Sequence, residues 1–155
     1  MADITFGAAT LADLPAIRSL LERCDLPTRD LQRERLEHFI VCRASDQLAG
    51  VVGIDTVGEL GLLRSLAVAP ELRGRQLAHG LWGRAHDDAI GHGVRRLYLL
   101  TTTAERLFAR WGFRRVSREV VPDAVQTMEE FTSLCPSSAV VMTLELTSAS
   151  GHYGL

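Results

Sequence analysis

The sequence contains no lysine and no asparagine, so its 17 basic residues other than histidine are all arginine. Without lysine there is no P-loop clamp of the G-K-[ST] type, no Schiff-base anchor for pyridoxal phosphate and no amine general base. Cysteine is scarce and odd in number. Cys24, Cys42 and Cys135 are widely separated, make no disulfide framework and show no metal-ligand spacing, so they suit a reducing compartment, the cytoplasm. No apolar run is long enough to span a bilayer, and the opening MADITFGAAT lacks the basic and apolar regions of an export signal, so no membrane role is expected. A formal charge of −2 gives no support to nucleic acid as a partner.

What is present is ordinary globular material. With 155 residues, 46% hydrophobic and 23% charged, the chain fits one compact domain with a substantial core. That domain is expected over residues 1–146, followed by a loose tail, 147–155. DITFGAAT reads as an opening strand, and Thr10 with Asp13 resembles a capping box ahead of Leu14, Ile17, Leu20 and Leu21 at helical spacing. A second, shorter helix is expected from about Thr28. FIVCRA, LAGVVGIDTV and ELGLLRSLAV read as three meandering strands, followed by a helix from about Gly74 to Ile90. VRRLYLLT, FRRVSREV and SSAVVMTLEL are further strands, with TAERLFARWG and PDAVQTMEEF as short helices between them, the former closed by Gly112. That order predicts an α/β (or α+β) layer with a mostly antiparallel sheet.

Residues 63–85, LRSLAVAPELRGRQLAHGLWGRA, change character twice. A β-type run stops at Pro70, then Arg73, Gly74, Arg75 and Gln76 precede Leu77, Leu81, Trp82 and Ala85 at helical spacing. A strand that turns directly into a helix presents several backbone N–H groups at the helix start, and the helix dipole adds partial positive charge there. Such a turn suits a phosphate, with Gly74 permitting close backbone approach and two arginines adding charge. A glycine-capped helix flanked by solvated arginines explains the stretch equally well when it is taken alone. Neither a G-x-G-x-x-G nor a Walker pattern is present.

Two stretches together are more specific. LAVAPELRGRQLAHGL resembles the acyl-CoA motif of the GNAT superfamily of N-acyltransferases, a strand ending in V-x-P followed by R-G-x-G-x-[GA]. AERLFARWGFRRV resembles the next motif of that superfamily, A-x-x-x-Y-x-x-x-G-F, and the order of elements agrees over nearly the whole chain. The resemblance implies the GNAT fold: a mixed, mostly antiparallel seven-stranded sheet splayed between strands four and five, with helices on both faces. It implies acetyl-CoA as cosubstrate and no metal. The pyrophosphate would dock on Arg73, Gly74, Arg75, Gln76, Leu77 and Ala78, and the pantetheine arm along Leu66, Ala67 and Val68. Thr101, Ala104 and Phe108 are implied as further cofactor contacts, and the backbone N–H of Val68 as the donor to the thioester oxygen. Many members pair through their sheets, so a homodimer is compatible. GVVGID, LLRSLAVAP, LYLLTTTAERLFARWGF and SLCPSSAVVM resemble the short GNAT proteins encoded with arsenic-resistance genes, which indicates a genomic setting more firmly than a substrate.

Three positions depart from the pattern. Gln76 stands at a usual glycine, and its N–H serves a phosphate provided that its φ is negative. Thr101 stands where many members have asparagine, and Phe108 where many have the tyrosine that protonates the departing thiolate. A thiol with a reference pKa of about 8.5 needs limited help to leave.

Amine acceptors are protonated at neutral pH, so a proton acceptor is required. Asp55 and Glu59 lie on strands beside the expected cleft; Glu59, acting through water, is preferred, with a solvated turn carboxylate as the alternative for either. Arg64 and Ser65, mid-strand, are candidates to clamp an anionic group of the substrate, against an edge-exposed charge as the alternative. Thr102, between Thr101 and Thr103, is a candidate substrate hydroxyl, although β propensity and helix capping also explain the threonines. His79, His86 and His92 read as a solvated face rather than a metal site, and Cys135 as a loop or buried thiol. The expected function is acetyl-CoA-dependent N-acetylation of a small, amino-acid-like or toxic primary amine. The alternatives are a non-catalytic acyl-CoA sensor and an arsenical-binding thiol protein.

Overall fold

The computed structural model describes residues 3–26, 28, 31, 36, 38–74, 76–128 and 139–146. The helix expected from Thr28 falls mostly outside the described residues, as do Arg75, Cys135 and the tail 147–155. Seven strands are present: β1 (Ile4–Ala8), β2 (Phe39–Ala44), β3 (Gln47–Val57), β4 (Leu60–Val68), β5 (Arg96–Thr101), β6 (Arg114–Val116) and β7 (Val140–Glu145). Four α-helices accompany them: α1 (Leu14–Arg23), α2 (Leu77–Gly91), α3 (Glu105–Arg110) and α4 (Asp123–Gln126). The sheet order is β1-β2-β3-β4-β5-β7-β6. β4 and β5 run parallel, Leu60–Leu62 against Arg96–Tyr98. β1–β2, β2–β3, β5–β7 and β6–β7 pair antiparallel, giving the mixed α/β sheet expected from the sequence. Among the described residues no helix is long and apolar enough to cross a membrane.

Packing divides the chain into two compact units: Met1–Asp55 with Arg64–Asp88, and Thr56–Leu63 with Ala89–Leu155. In the first, the helical repeat Leu14, Ile17, Leu20 and Leu21 buries one face of α1 with Phe39, Val41, Val51 and Ala67. The helix entrance carries the expected box, with the Thr10 N–H donating to Asp13 Oδ2 at 2.8 Å. Arg43 Nη2 donates to the other oxygen of that buried carboxylate at 2.6 Å, tying α1 to β2. α2 lies close against β3 because Gly50 has no side chain: a Cβ there would stand 2.9 Å from both Cys42 Sγ and Leu81 Cδ1. The helix starts at Leu77, three residues later than expected, because Gly74 (φ +88°) and Gln76 (φ +62°) are both left-handed, a conformation no α-helix contains.

In the second unit Leu62, Tyr98, Val121, Val125 and Val141 form the core. The buried Thr143 hydroxyl donates to the Leu97 carbonyl at 2.8 Å, so this polar side chain is satisfied within the sheet. α3 ends at Gly112 (φ +104°), and the Phe113 N–H returns to the Phe108 carbonyl at 3.1 Å. The helix expected over PDAVQTMEEF is a single turn among the described residues, α4, stabilised by Gln126 Nε2 donating to the Val121 carbonyl at 2.7 Å.

Candidate cofactor and acceptor site

The first unit holds β4's second half, the turn behind it and the start of α2. Mid-strand, Ser65 adopts φ +60°, a left-handed residue that interrupts the regular alternation of β4. Its hydroxyl accepts from Arg64 Nε at 2.9 Å, and Arg64 Nη1 pairs with Asp55 Oδ2 at 3.1 Å. The Arg64 side chain is 0% exposed and that of Asp55 12%, so Arg64 is not the edge-exposed charge that the alternative reading allowed. A guanidinium removed from water this completely requires such a partner, because an unpaired buried charge costs several kcal/mol. The Phe39 ring, 5.8 Å from the guanidinium carbon, covers it.

Behind Val68 the chain makes a 3-10 turn, Pro70–Leu72, and then the two left-handed residues. The condition placed on Gln76 is therefore not met: its φ is positive, and it takes the conformation for which the motif usually supplies glycine. A left-handed residue directly before a helical one, as Gln76 stands before Leu77, turns successive N–H groups toward one concave side, a backbone arrangement that binds anions, so positive φ at Gln76 is compatible with a phosphate. A Cβ on Gly74 would meet nothing within 4 Å, leaving that side of the turn open. The Gly80 N–H bonds the Gln76 carbonyl at 3.1 Å, so the N–H groups of Leu77 and Ala78 lie ahead of that helical bond. Arg73, although exposed, folds back on its own chain: its Nε donates to the Val68 carbonyl at 3.3 Å and its Nη2 to Cys24 Sγ at 3.4 Å.

Glu59 occupies the exposed turn before β4, next to Gly58 (φ +58°), and its side chain is 72% exposed, 3.8 Å from Arg95 Nε. It precedes Leu60, the first residue of β4, whereas Val68 is the last. Glu59 is thus solvated, as the alternative reading of a turn carboxylate allowed.

In the second unit Thr101 is buried at the end of β5, its hydroxyl accepting from the Ala104 N–H at 2.9 Å; it ties down the loop ahead of α3, whose N-cap is Ala104 rather than a threonine. Thr102 and Thr103 are exposed. Phe108, 7% exposed, packs edge-on to Trp111 and Phe113 with centroids 5.5 and 5.8 Å away. His86 sits edge-on to Trp82 at 5.5 Å and 3.3 Å from Asp87. Cys42 is fully buried and burial pushes its thiol up to about 11, which makes it a poor thiolate ligand for an arsenical. The contacts of Cys24 and Phe39 carried no sequence signal beyond residue type.

Residues 10–113 match the Acetyltransferase (GNAT) family, and the chain belongs to that family. Its class of activity is N-acetyl transfer with acetyl-CoA as donor. An acetyltransferase of Pectobacterium atrosepticum is 32% identical over 98 residues, covering 57% of this chain and 69% of that protein. An amino-acid acetyltransferase of Mycobacterium tuberculosis is 29% identical over 138 residues, covering 83% of this chain and 76% of that protein. The N-acetylglutamate synthase of Neisseria gonorrhoeae, solved with coenzyme A and N-acetyl-glutamate, superposes with a TM-score of 0.80 at 22% identity, covering 95% of this chain. The chain spans 36% of that synthase chain, and the likeness to it is one of fold.

Proposed function

We propose that the acceptor is the primary amine of a small amino-acid-like molecule, with arsenic- and phosphorus-containing amino acids among the candidates. The observation that carries this reading is the Arg64–Asp55 pair: a wholly buried cation that holds a partly exposed carboxylate beside the β4 irregularity. Asp55 offers an ionised oxygen to the acceptor's ammonium group and, through water, takes its proton in place of Glu59. Arg64 and Ser65 act through Asp55, fixing its orientation. Support for an amino acid as acceptor comes from relatives named amino-acid acetyltransferases; support for arsenic or phosphorus analogues comes from the motif resemblance alone.

On the donor side, the backbone of residues 74–78 takes the pyrophosphate and Leu66–Val68 the pantetheine arm, with the Val68 N–H on the oxyanion that develops at the thioester carbon. Thr101, Ala104 and Phe108 stay assigned to the cofactor, and Thr102 to the acceptor, on the motif resemblance. Since Phe108 carries no hydroxyl, solvent protonates the departing thiolate. The odd number of cysteines, with Cys24 and Cys42 free among the described residues, keeps the reducing cytoplasm as the proposed location.

The test is release of free thiol from acetyl-CoA, with mass spectrometry of the product, across amino acids, phosphinic, phosphonic and arsonic analogues, polyamines and peptide N-termini. Transfer to α-amino groups of free amino-acid-like molecules is expected. Transfer confined to polyamines or peptides would overturn the acceptor class.

A further inference from the structure

We propose that Arg73 is a positioning residue for acetyl transfer, acting as a strut on the last peptide of β4 rather than as a charge on the cofactor phosphate. The peptide that joins Val68 to Ala69 is held on both sides. Its N–H donates to the Ala49 carbonyl of β3 at 2.8 Å, and its carbonyl accepts from Arg73 Nε at 3.3 Å. The Cys24 thiol, at the end of α1, lies 3.8 Å from that same carbonyl and accepts from Arg73 Nη2 at 3.4 Å. One peptide therefore gathers β3, β4, the C-terminal end of α1 and the turn that opens α2. A second bridge joins the same helix end to the same turn, Arg23 Nη2 to Glu71 Oε1 at 2.7 Å.

The geometry is specific to arginine. Two donors at different depths of one planar group reach two acceptors, and a lysine has a methylene where arginine has Nε. Both of these nitrogens point into the chain's own carbonyl and thiol, which removes them from a phosphate at the turn. What the strut fixes is the orientation of Val68, the residue whose N–H is assigned to the thioester oxygen. The inference rests on that assignment. A donor aimed correctly before the reaction costs no reorganisation during it, whereas a small misplacement lowers the rate without abolishing binding.

The experiment compares the full chain with Arg73→Lys and Arg73→Met, measuring kcat at saturating acetyl-CoA, the Kd of free CoA at two salt concentrations, and amide exchange at Ala69. Free CoA lacks the acetyl carbonyl, so its affinity reports the phosphate cradle and arm but not the oxyanion contact. Both variants are expected to lose kcat about tenfold, because a misaimed donor forfeits part of what a deleted one forfeits. CoA affinity is expected to stay within about twofold in both, with no added salt dependence. If lysine restores wild-type kcat while methionine weakens CoA binding in a salt-dependent way, Arg73 is a phosphate charge and the strut is overturned. Unchanged kcat in both overturns it too. If the parent acetylates no amine, the functional reading fails on its own account and Ala69 exchange decides: faster exchange in both variants supports the strut, and parental exchange refutes it. Should Arg73→Met fail to fold, Cys24→Ala, which removes the outer of the two acceptors, takes its place with a smaller loss of kcat expected; no loss overturns the proposal.

Discussion

Arg64 and Asp55 form a charge pair in which the cation is sealed from solvent and the anion keeps a narrow window to it, their atoms 3.1 Å apart. Replacing Asp55 by Ala removes this carboxylate from a buried guanidinium, and a loss of stability is expected in a denaturant melt. Replacing both, Arg64→Met with Asp55→Leu, should recover most of that stability, since an apolar pair of similar volume avoids the desolvation cost. Acetyl transfer should remain lost in the double variant. Activity returning together with stability would show that the pair holds up the fold and takes no part in the reaction.

Gln76 holds a backbone conformation at φ +62° that a side chain opposes. Gln76→Gly relieves that strain while adding freedom to the unfolded chain, so a net gain of up to about 1 kcal/mol is expected. Gly74→Asn keeps a residue that tolerates positive φ but places a side chain over the open side of the turn. CoA affinity measured by calorimetry should fall at least tenfold or so if the pyrophosphate lies there, because the backbone can no longer approach it closely. Parental affinity in a folded Gly74→Asn protein would move the phosphate elsewhere.

Phe108 packs among Trp111 and Phe113, so Phe108→Tyr introduces a hydroxyl into a mostly apolar corner. If thiolate protonation limits turnover, kcat should rise toward the roughly 10²–10⁴-fold worth of a general acid. We expect instead a change too small to matter, because a thiol leaves readily and amine deprotonation or product release governs the rate. The comparison of kcat for the two proteins with one accepted amine decides between these.

Asp13 sets an acid limit on stability. Burial alone would raise its pKa, but hydrogen bonds from Arg43 and from the Thr10 backbone and hydroxyl, with the Arg43 charge, hold it below the ordinary 3.8. A folded pKa below the unfolded one contributes stability that is present above the unfolded value of about 3.9 and is lost as pH falls toward the folded one. Tm should therefore decline from about pH 5 downward, and Asp13→Asn should flatten that decline while lowering Tm at neutral pH. An unchanged acid limb in Asp13→Asn would assign the decline to other carboxylates.

The strand and helix order was legible because periodicity and punctuation agreed: the α1 repeat from Leu14 to Leu21, the Thr10–Asp13 box and Gly112 all stand where their patterns placed them. What periodicity does not carry is the sign of φ at a residue with a side chain. Ser65 and Gln76 look like any polar residue in a strand or a helix start, yet both are left-handed, and the late start of α2 follows from the second. Partner choice was equally hidden. Arg64 and Arg73 are both arginines near a motif, but one is buried on a carboxylate and the other folded onto a carbonyl and a thiol. Exposure was hidden as well: adjacency to a strand did not reveal that the Glu59 carboxylate is solvated beside Arg95.

The two described thiols differ in a way that a fluorophore would register. Cys42 is sealed beneath Gly50 and Leu81 and keeps its proton well above neutrality, whereas Cys24 sits part-open under the Arg73 guanidinium. A maleimide dye added at neutral pH will choose Cys24 over Cys42, and in choosing it will displace the arginine that rests there. The chain thus carries its own attachment point for an optical reporter, placed where the turn behind β4 would announce any change in its grip.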